Sequence, residues 1–170
     1  MKKRILLTSF DTWLSDQKSN SSDDLLAEVA RLNSLPYDLT LLRLLPVDVQ
    51  RARFRVIEKI HELQSDAIIC CGMARKRTLL SVEVGASCGE NVLQTTVDLE
   101  QLVAGARAVE ISHDCGKFVC EGLYYCVLDE LRQHQLTTPC IFVHVPILTE
   151  ENLPLVLDDF LLIMHRLALW

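Results

Sequence analysis

Short apolar runs and amphipathic stretches take turns along the whole chain, and this alternation narrows the fold more than any other feature. Arg4–Phe10, Leu39–Leu45, Ala67–Cys71, Leu79–Ala86, Ala108–Ser112 and Cys140–Val145 read as strands. Between them lie stretches with helical spacing. The first has Leu25, Leu26, Val29, Ala30 and Leu32 behind a Ser22-Asp23-Asp24 cap, and the second, Val49–Leu63, carries Phe54, Ile57, Ile60 and Leu63 on one face. Further helices are expected at Asp98–Ala104, from Phe118 or Val119 to about Gln135, and from Thr149 or Glu150 to the C-terminus, with Thr149 as N-cap. The segment from Ser87 to Gly105, which includes the Asp98–Ala104 helix, is the least legible. Strands separated by helices build a three-layer α/β fold, with a mostly parallel central sheet and helices on both faces. The expectation is one domain over residues 1–170.

Composition removes several classes. The formal charge of -6 offers no global positive field for nucleic acid. No apolar run reaches the roughly 18 residues a membrane span requires, and the apolar opening Ile5-Leu6-Leu7 breaks at Thr8-Ser9, as a first strand does and a signal segment does not. Neither a nucleic-acid partner nor a membrane is expected. The seven cysteines are odd in number and contain no CxxC pair, which argues for a reducing, cytoplasmic setting and against a disulfide framework. No His/Cys spacing matches a structural zinc site, so no metal or cofactor is expected. His61, His134 and His165 read as surface or interface residues on helices. The broad apolar face of the last helix, with Leu153, Val156, Phe160, Ile163 and Leu167, implies deep burial or a homo-oligomer interface.

In a parallel sheet, ligands gather beyond the carboxyl ends of the strands. Three polar residues fall at such places: Glu83 near the end of the fourth strand, Cys120 in the first turn of a helix after a Gly-containing turn, and His144 near the end of an otherwise apolar strand. Acyl transfer by cysteine needs a nucleophilic thiol, a base to take its proton and an acid to orient that base. A helix start favours a thiolate through its unpaired N–H groups and dipole, so Cys120 is expected to ionise easily. Each signal has a plainer reading, since a Cys at an apolar helix start, a His in a buried strand and a Glu on a strand are all common as packing or surface residues.

The local sequences add a resemblance. Ser112-His113-Asp114-Cys115-Gly116-Lys117-Phe118-Val119-Cys120 resembles the nucleophile segment of the pyroglutamyl peptidase I family, and Phe142-Val143-His144-Val145-Pro146-Ile147-Leu148 its histidine segment. Gly72 to Glu83, with Arg77 six residues before the acid, is similar to its acid segment, and Thr8-Ser9-Phe10-Asp11-Thr12-Trp13 more loosely to its opening. The resemblance implies a central mixed sheet with flanking helices and removal of an N-terminal pyroglutamyl or related residue from a short peptide or small amide, without metal or cofactor. It implies Cys120 as nucleophile, His144 as base and Glu83 as orienting acid, with Phe10, Trp13, Met73, Arg77 and Val119 on the substrate side. It also implies association of subunits.

This chain departs from the family pattern where substrate is held. Met73 stands in place of a Gln, Ser9 in place of a Gly, Leu14-Ser15 in place of Gly-Gly, and Val84 in place of an Arg, while the segment Gly85–Thr96 lacks the family's Arg-Ile-x-Asp-Asn run. A thioether cannot supply an amide's donor and acceptor. The alternative is therefore a catalytically inactive homologue that binds a small ligand or a protein.

Overall fold

A computed structural model describes residues 2–170. In chain order the elements are β1 (Arg4–Phe10), α1 (Ser21–Ala30), β2 (Asp38–Leu45), α2 (Val49–Leu63), β3 (Ala67–Met73), β4 (Leu80–Glu83), β5 (Gly85–Cys88), β6 (Asn91–Gln94), α3 (Leu99–Val103), β7 (Val109–Ser112), α4 (Val119–Gln133), β8 (Cys140–Val145) and α5 (Leu153–Ala168).

Six strands form the main sheet in the order β2-β1-β3-β8-β4-β7. Neighbours pair in parallel except at one junction, where β4 runs against β8 with Ser81 opposite His144 and Glu83 opposite Phe142. The sheet is mostly parallel, as the alternation predicts, and mixed, as the resemblance implies. Both faces are covered. On one, Leu25, Leu26 and Val29 of α1, Leu102 of α3 and Phe160 and Ile163 of α5 pack against Ile69, Val82, Val143 and Val145. On the other, Val56 and Ile60 of α2 and Leu123, Tyr124 and Val127 of α4 pack against Leu6, Cys70 and Phe142. The split follows from strand period, since successive residues of β8 alternate between the two cores.

Several boundaries differ from those expected of the sequence. The expected strand Leu79–Ala86 leaves the main sheet at Val84 and continues as β5, which pairs with β6 in a separate hairpin. Gly85 permits this turn-off, because a Cβ there would run into the Leu93 carbonyl oxygen. The hairpin fills the first part of the least legible segment; its strands are four residues each and turn at Gly89, whose φ of 61° lies in the left-handed region. The cap of α1 is Asn20, not Ser22: its side chain accepts from the Ser22 N–H, and Asp23 and Asp24 fall inside the first turn. The last helix begins at Leu153, because Thr149 and Asn152 exchange backbone-to-side-chain bonds in a turn that precedes it.

The residues from β1 to α1 are fixed by a buried polar cluster. Ser9 Oγ donates to Asp23 Oδ1 at 2.7 Å, and Arg43 grips both oxygens of Asp23 at 2.8 Å. Burial works to raise the Asp23 carboxyl, but the bonds from Arg43 and Ser9 outweigh it and hold the group below the usual carboxylate range. The apolar face of α5 is largely used within the fold, with Val156, Phe160, Ile163, Met164 and Leu167 all buried. Among the described residues no helix is long and apolar enough to cross a membrane.

Candidate active site

Glu83 and His144 meet on the sheet face covered by α2 and α4. In an antiparallel pair, opposite residues share a face, so Ser81 and Glu83 point the same way as His144 and Phe142. Glu83 and His144 are diagonal neighbours in that pattern, and His144 Nδ1 lies 2.6 Å from Glu83 Oε1. Glu83 is fully buried and His144 nearly so. The carboxyl-end rule accounts for His144. It does not account for Glu83, whose strand runs the opposite way.

Arg77 compensates the buried carboxylate. One guanidinium nitrogen donates to Glu83 Oε1 at 2.5 Å and another to the Asp114 carbonyl, so Arg77 joins the acid to the turn that precedes α4. Tyr124 of α4 donates to the Glu83 carbonyl at 3.3 Å, pinning the helix over the same strand. The second carboxylate oxygen, Oε2, is buried with no hydrogen-bond partner.

Cys120 is the second residue of α4 and its sulfur rests on Gly72 of β3, which is the register neighbour of His144. A Cβ built on Gly72 would stand 2.5 Å from Cys120 Sγ and 3.0 Å from Phe142 Cζ, so the bare glycine makes the space that the sulfur occupies. The expected ease of ionisation is absent in this state. Burial first, then the charge of Glu83, push the thiol up to about 12, against a lowering backbone hydrogen bond at Cys120. Desolvation wins over the helix start.

The other residues assigned to the substrate side are spread. Phe10 and Val119 are buried in the core under α2 and α4. Met73 ends β3, half-buried. Trp13 is 46% exposed and stacks on Phe118, which is 79% exposed, with ring centroids 6.5 Å apart. Phe118 is the N-cap of α4, two residues before Cys120. It escaped the sequence reading as a site residue; an aromatic at a helix N-cap, where a polar side chain is usual, was the available signal.

Cys115, in the turn before α4, lies beside the Glu83–His144 pair. Donor atoms of Glu83, Cys115 and His144 all lie within 4.8 Å of one another. Burial and the charge of Glu83 push the Cys115 thiol far up, so it rests protonated. Beside it a cleft of about 430 Å³ opens between the β5–β6 hairpin and the 113–117 turn, bordered by Ala86, Ser87, His113, Lys117 and Glu121. Glu121 accepts from the Ser87 N–H at 3.1 Å and ties the hairpin to α4.

The fold is a three-layer α/β core that holds a buried carboxylate–imidazole pair beneath the start of α4. Relatives narrow the class. The pyrrolidone-carboxylate peptidase of Bacillus velezensis is 26% identical, the match covering 90% of this chain and 82% of that protein. That of Oceanobacillus iheyensis is 24% identical over 85% of this chain and 84% of that one. Among solved structures, pyroglutamyl peptidase I from Bacillus amyloliquefaciens superposes with a TM-score of 0.87 at 21% identity, covering 100% of this chain and 97% of that one. The pyrrolidone carboxyl peptidase of Thermococcus litoralis gives 0.82 at 17% identity, covering 98% and 93%. No protein-family model matches the chain. Sequence and fold agree: the chain is similar over most of its length to pyrrolidone-carboxylate peptidases and shares the fold of pyroglutamyl peptidase I.

Proposed function

We propose that this chain is a cysteine peptidase of the omega-peptidase type that cleaves the amide after an N-terminal pyroglutamyl or closely related residue. The observation that carries the reading is the 2.6 Å contact between His144 Nδ1 and Glu83 Oε1 on the sheet face beneath the start of α4. In this reading His144, its tautomer fixed by Glu83, takes the Cys120 proton as sulfur attacks the substrate carbonyl carbon. The carbonyl π bond opens to an oxyanion, which N–H groups at the start of α4 stabilise. As the oxyanion re-forms the carbonyl, the C–N bond breaks and imidazolium gives its proton to the leaving amine. Water, deprotonated by His144, then splits the thioester and restores the thiol.

Because Cys120 rests as a neutral thiol, ionisation is coupled to proton transfer rather than completed beforehand. Trp13 and Phe118 offer the exposed aromatic surface for a flat lactam ring. Arg77 acts through Glu83 rather than on substrate. The whole chain serves as one domain, needs no cofactor, and works in the cytoplasm as a homo-oligomer. The test is a panel of pyroglutamyl and other aminoacyl fluorogenic amides: the pyroglutamyl amide is turned over by the native protein and not by Cys120→Ser. Equal turnover by both would overturn the assignment.

Met73 and Val84, standing where the family pattern has a Gln and an Arg, favour a second reading, a binding protein that keeps the fold without turnover. It requires a ligand that raises the melting temperature of a protein inert toward the whole panel.

A further inference from the structure

We propose that His61, Glu130 and His134 form a surface site for a first-row divalent transition-metal ion, zinc foremost, which clasps the end of α2 to the end of α4. His61 lies in the last turn of α2, Glu130 in the last turn of α4, and His134 is the C-cap of α4. Two imidazoles converge on a single carboxylate oxygen: His61 Nε2 is 2.7 Å and His134 Nδ1 3.1 Å from Glu130 Oε1. The donor atoms of the three residues all lie within 4.8 Å of one another, and the two rings meet edge to face at 5.2 Å. Glu130 is half-buried, while both imidazoles are exposed and open to water.

The donor set suits the ion. Two imidazole nitrogens and one carboxylate oxygen, with solvent completing the sphere, is a borderline-soft set that zinc accepts and that calcium or magnesium does not favour. A tetrahedral zinc with bonds of 2.0–2.1 Å separates its donors by about 3.3 Å, so small rotations of the side chains admit an ion. Each neutral imidazole carries its proton on the outer ring nitrogen (Nδ1 of His61, Nε2 of His134) and gives the inner lone pair to the metal. Glu130 and His134, four apart on α4, share a helix face, but His61 comes from 69 residues earlier in the chain, so no local motif announces the set. Glu130 is ten residues past Cys120, about 15 Å along the helix axis, which separates the metal site from the thiol.

An ion held only by the folded form stabilises it by mass action. The experiment uses the full chain stripped with chelator, zinc titrated by calorimetry and by thermal melting, and cobalt as a spectroscopic probe. The expected result is one zinc equivalent and a melting temperature that rises with zinc. Cobalt should give visible ligand-field bands without a sulfur-to-cobalt charge-transfer band. The double variant His61→Gln/His134→Gln, and separately Glu130→Gln, should lose more than the roughly 10–100-fold that removal of even an outer-sphere partner costs. Each should also melt in chelator within a few degrees of the native protein. No zinc equivalent, zinc binding unchanged in both variants, or a thiolate band from a cysteine such as the exposed Cys88 would each overturn the proposal and leave a hydrogen-bonded surface cluster.

Discussion

His144 Nδ1 and Glu83 Oε1 lie 2.6 Å apart across the one junction where the main sheet turns antiparallel among the described residues. That reversal sets the contact. With β4 running against β8, Glu83 falls opposite Phe142 and its side chain shares a face with His144 two residues along. The acid and the imidazole therefore owe their contact to strand direction, not to neighbouring loops.

In the proposed mechanism, Glu83→Gln removes the carboxylate that orients His144 while keeping the shape. Hydrolysis of a pyroglutamyl amide is expected to fall by about 10²–10⁴-fold, the range for a disabled acid–base group, with the circular dichroism spectrum unchanged. Steady-state kinetics on the purified variant measure it. Native-like rates would remove Glu83 from the mechanism.

Arg77→Met tests the charge balance beneath the site. Glu83 would remain buried with its compensating cation gone, and breaking such a pair costs about 3–5 kcal/mol. Arg77 retains some solvent contact, so the lower end is expected. Urea unfolding of variant and native protein reads the difference. A variant as stable as the native protein would mean that Arg77 does not support Glu83 in the fold.

How much of this was legible beforehand depends on the range of the cause. The helix Val49–Leu63 emerges with the predicted ends, but its buried face is Ala52, Val56 and Ile60, while Phe54 of the expected face is 68% exposed. Cys120, His144 and Glu83 could be picked out because short segments surround each with a recognisable pattern. The direction of β4 could not, since a strand's period is the same read either way. The hairpin Gly85–Gln94 was lost because four-residue strands on a mostly exposed surface show too few alternations. The resemblance puts Arg77 on the substrate side, and only the tertiary fold shows it and Cys115 beside Glu83. The expected ionisation of Cys120 failed for a related reason: a helix start is visible in sequence, while the burial that outweighs it is not.

Gly72→Ala probes the seat of the sulfur. The added methyl would stand 2.5 Å from Cys120 Sγ and 3.0 Å from Phe142 Cζ, so the thiol must move. Overpacking of this kind costs about 1–3 kcal/mol. Turnover is expected to fall at least tenfold while the protein stays folded, read by kinetics alongside thermal melting. Unchanged turnover would show that the thiol does not need its place over Gly72.

The pH response of Cys120 has a definite sign. A thiol raised to about 12 is protonated at neutral pH more completely than an ordinary cysteine, so iodoacetamide should label it more slowly than it labels the exposed Cys88. The rate should climb roughly tenfold per pH unit toward that value wherever the fold persists. Peptide mass spectrometry separates the two sites. Faster labelling of Cys120 at pH 7 would mean that the ligand-free site already holds a thiolate.

The most direct measurement is an acid-quenched reaction with a pyroglutamyl active ester, followed by intact-mass and peptide analysis. An acyl group should appear on the sulfur of Cys120 in the native protein, accumulate in His144→Gln only slowly, and be absent from Cys120→Ala. Hydrolysis that proceeds with no adduct on Cys120, or that survives its removal, would contradict the account.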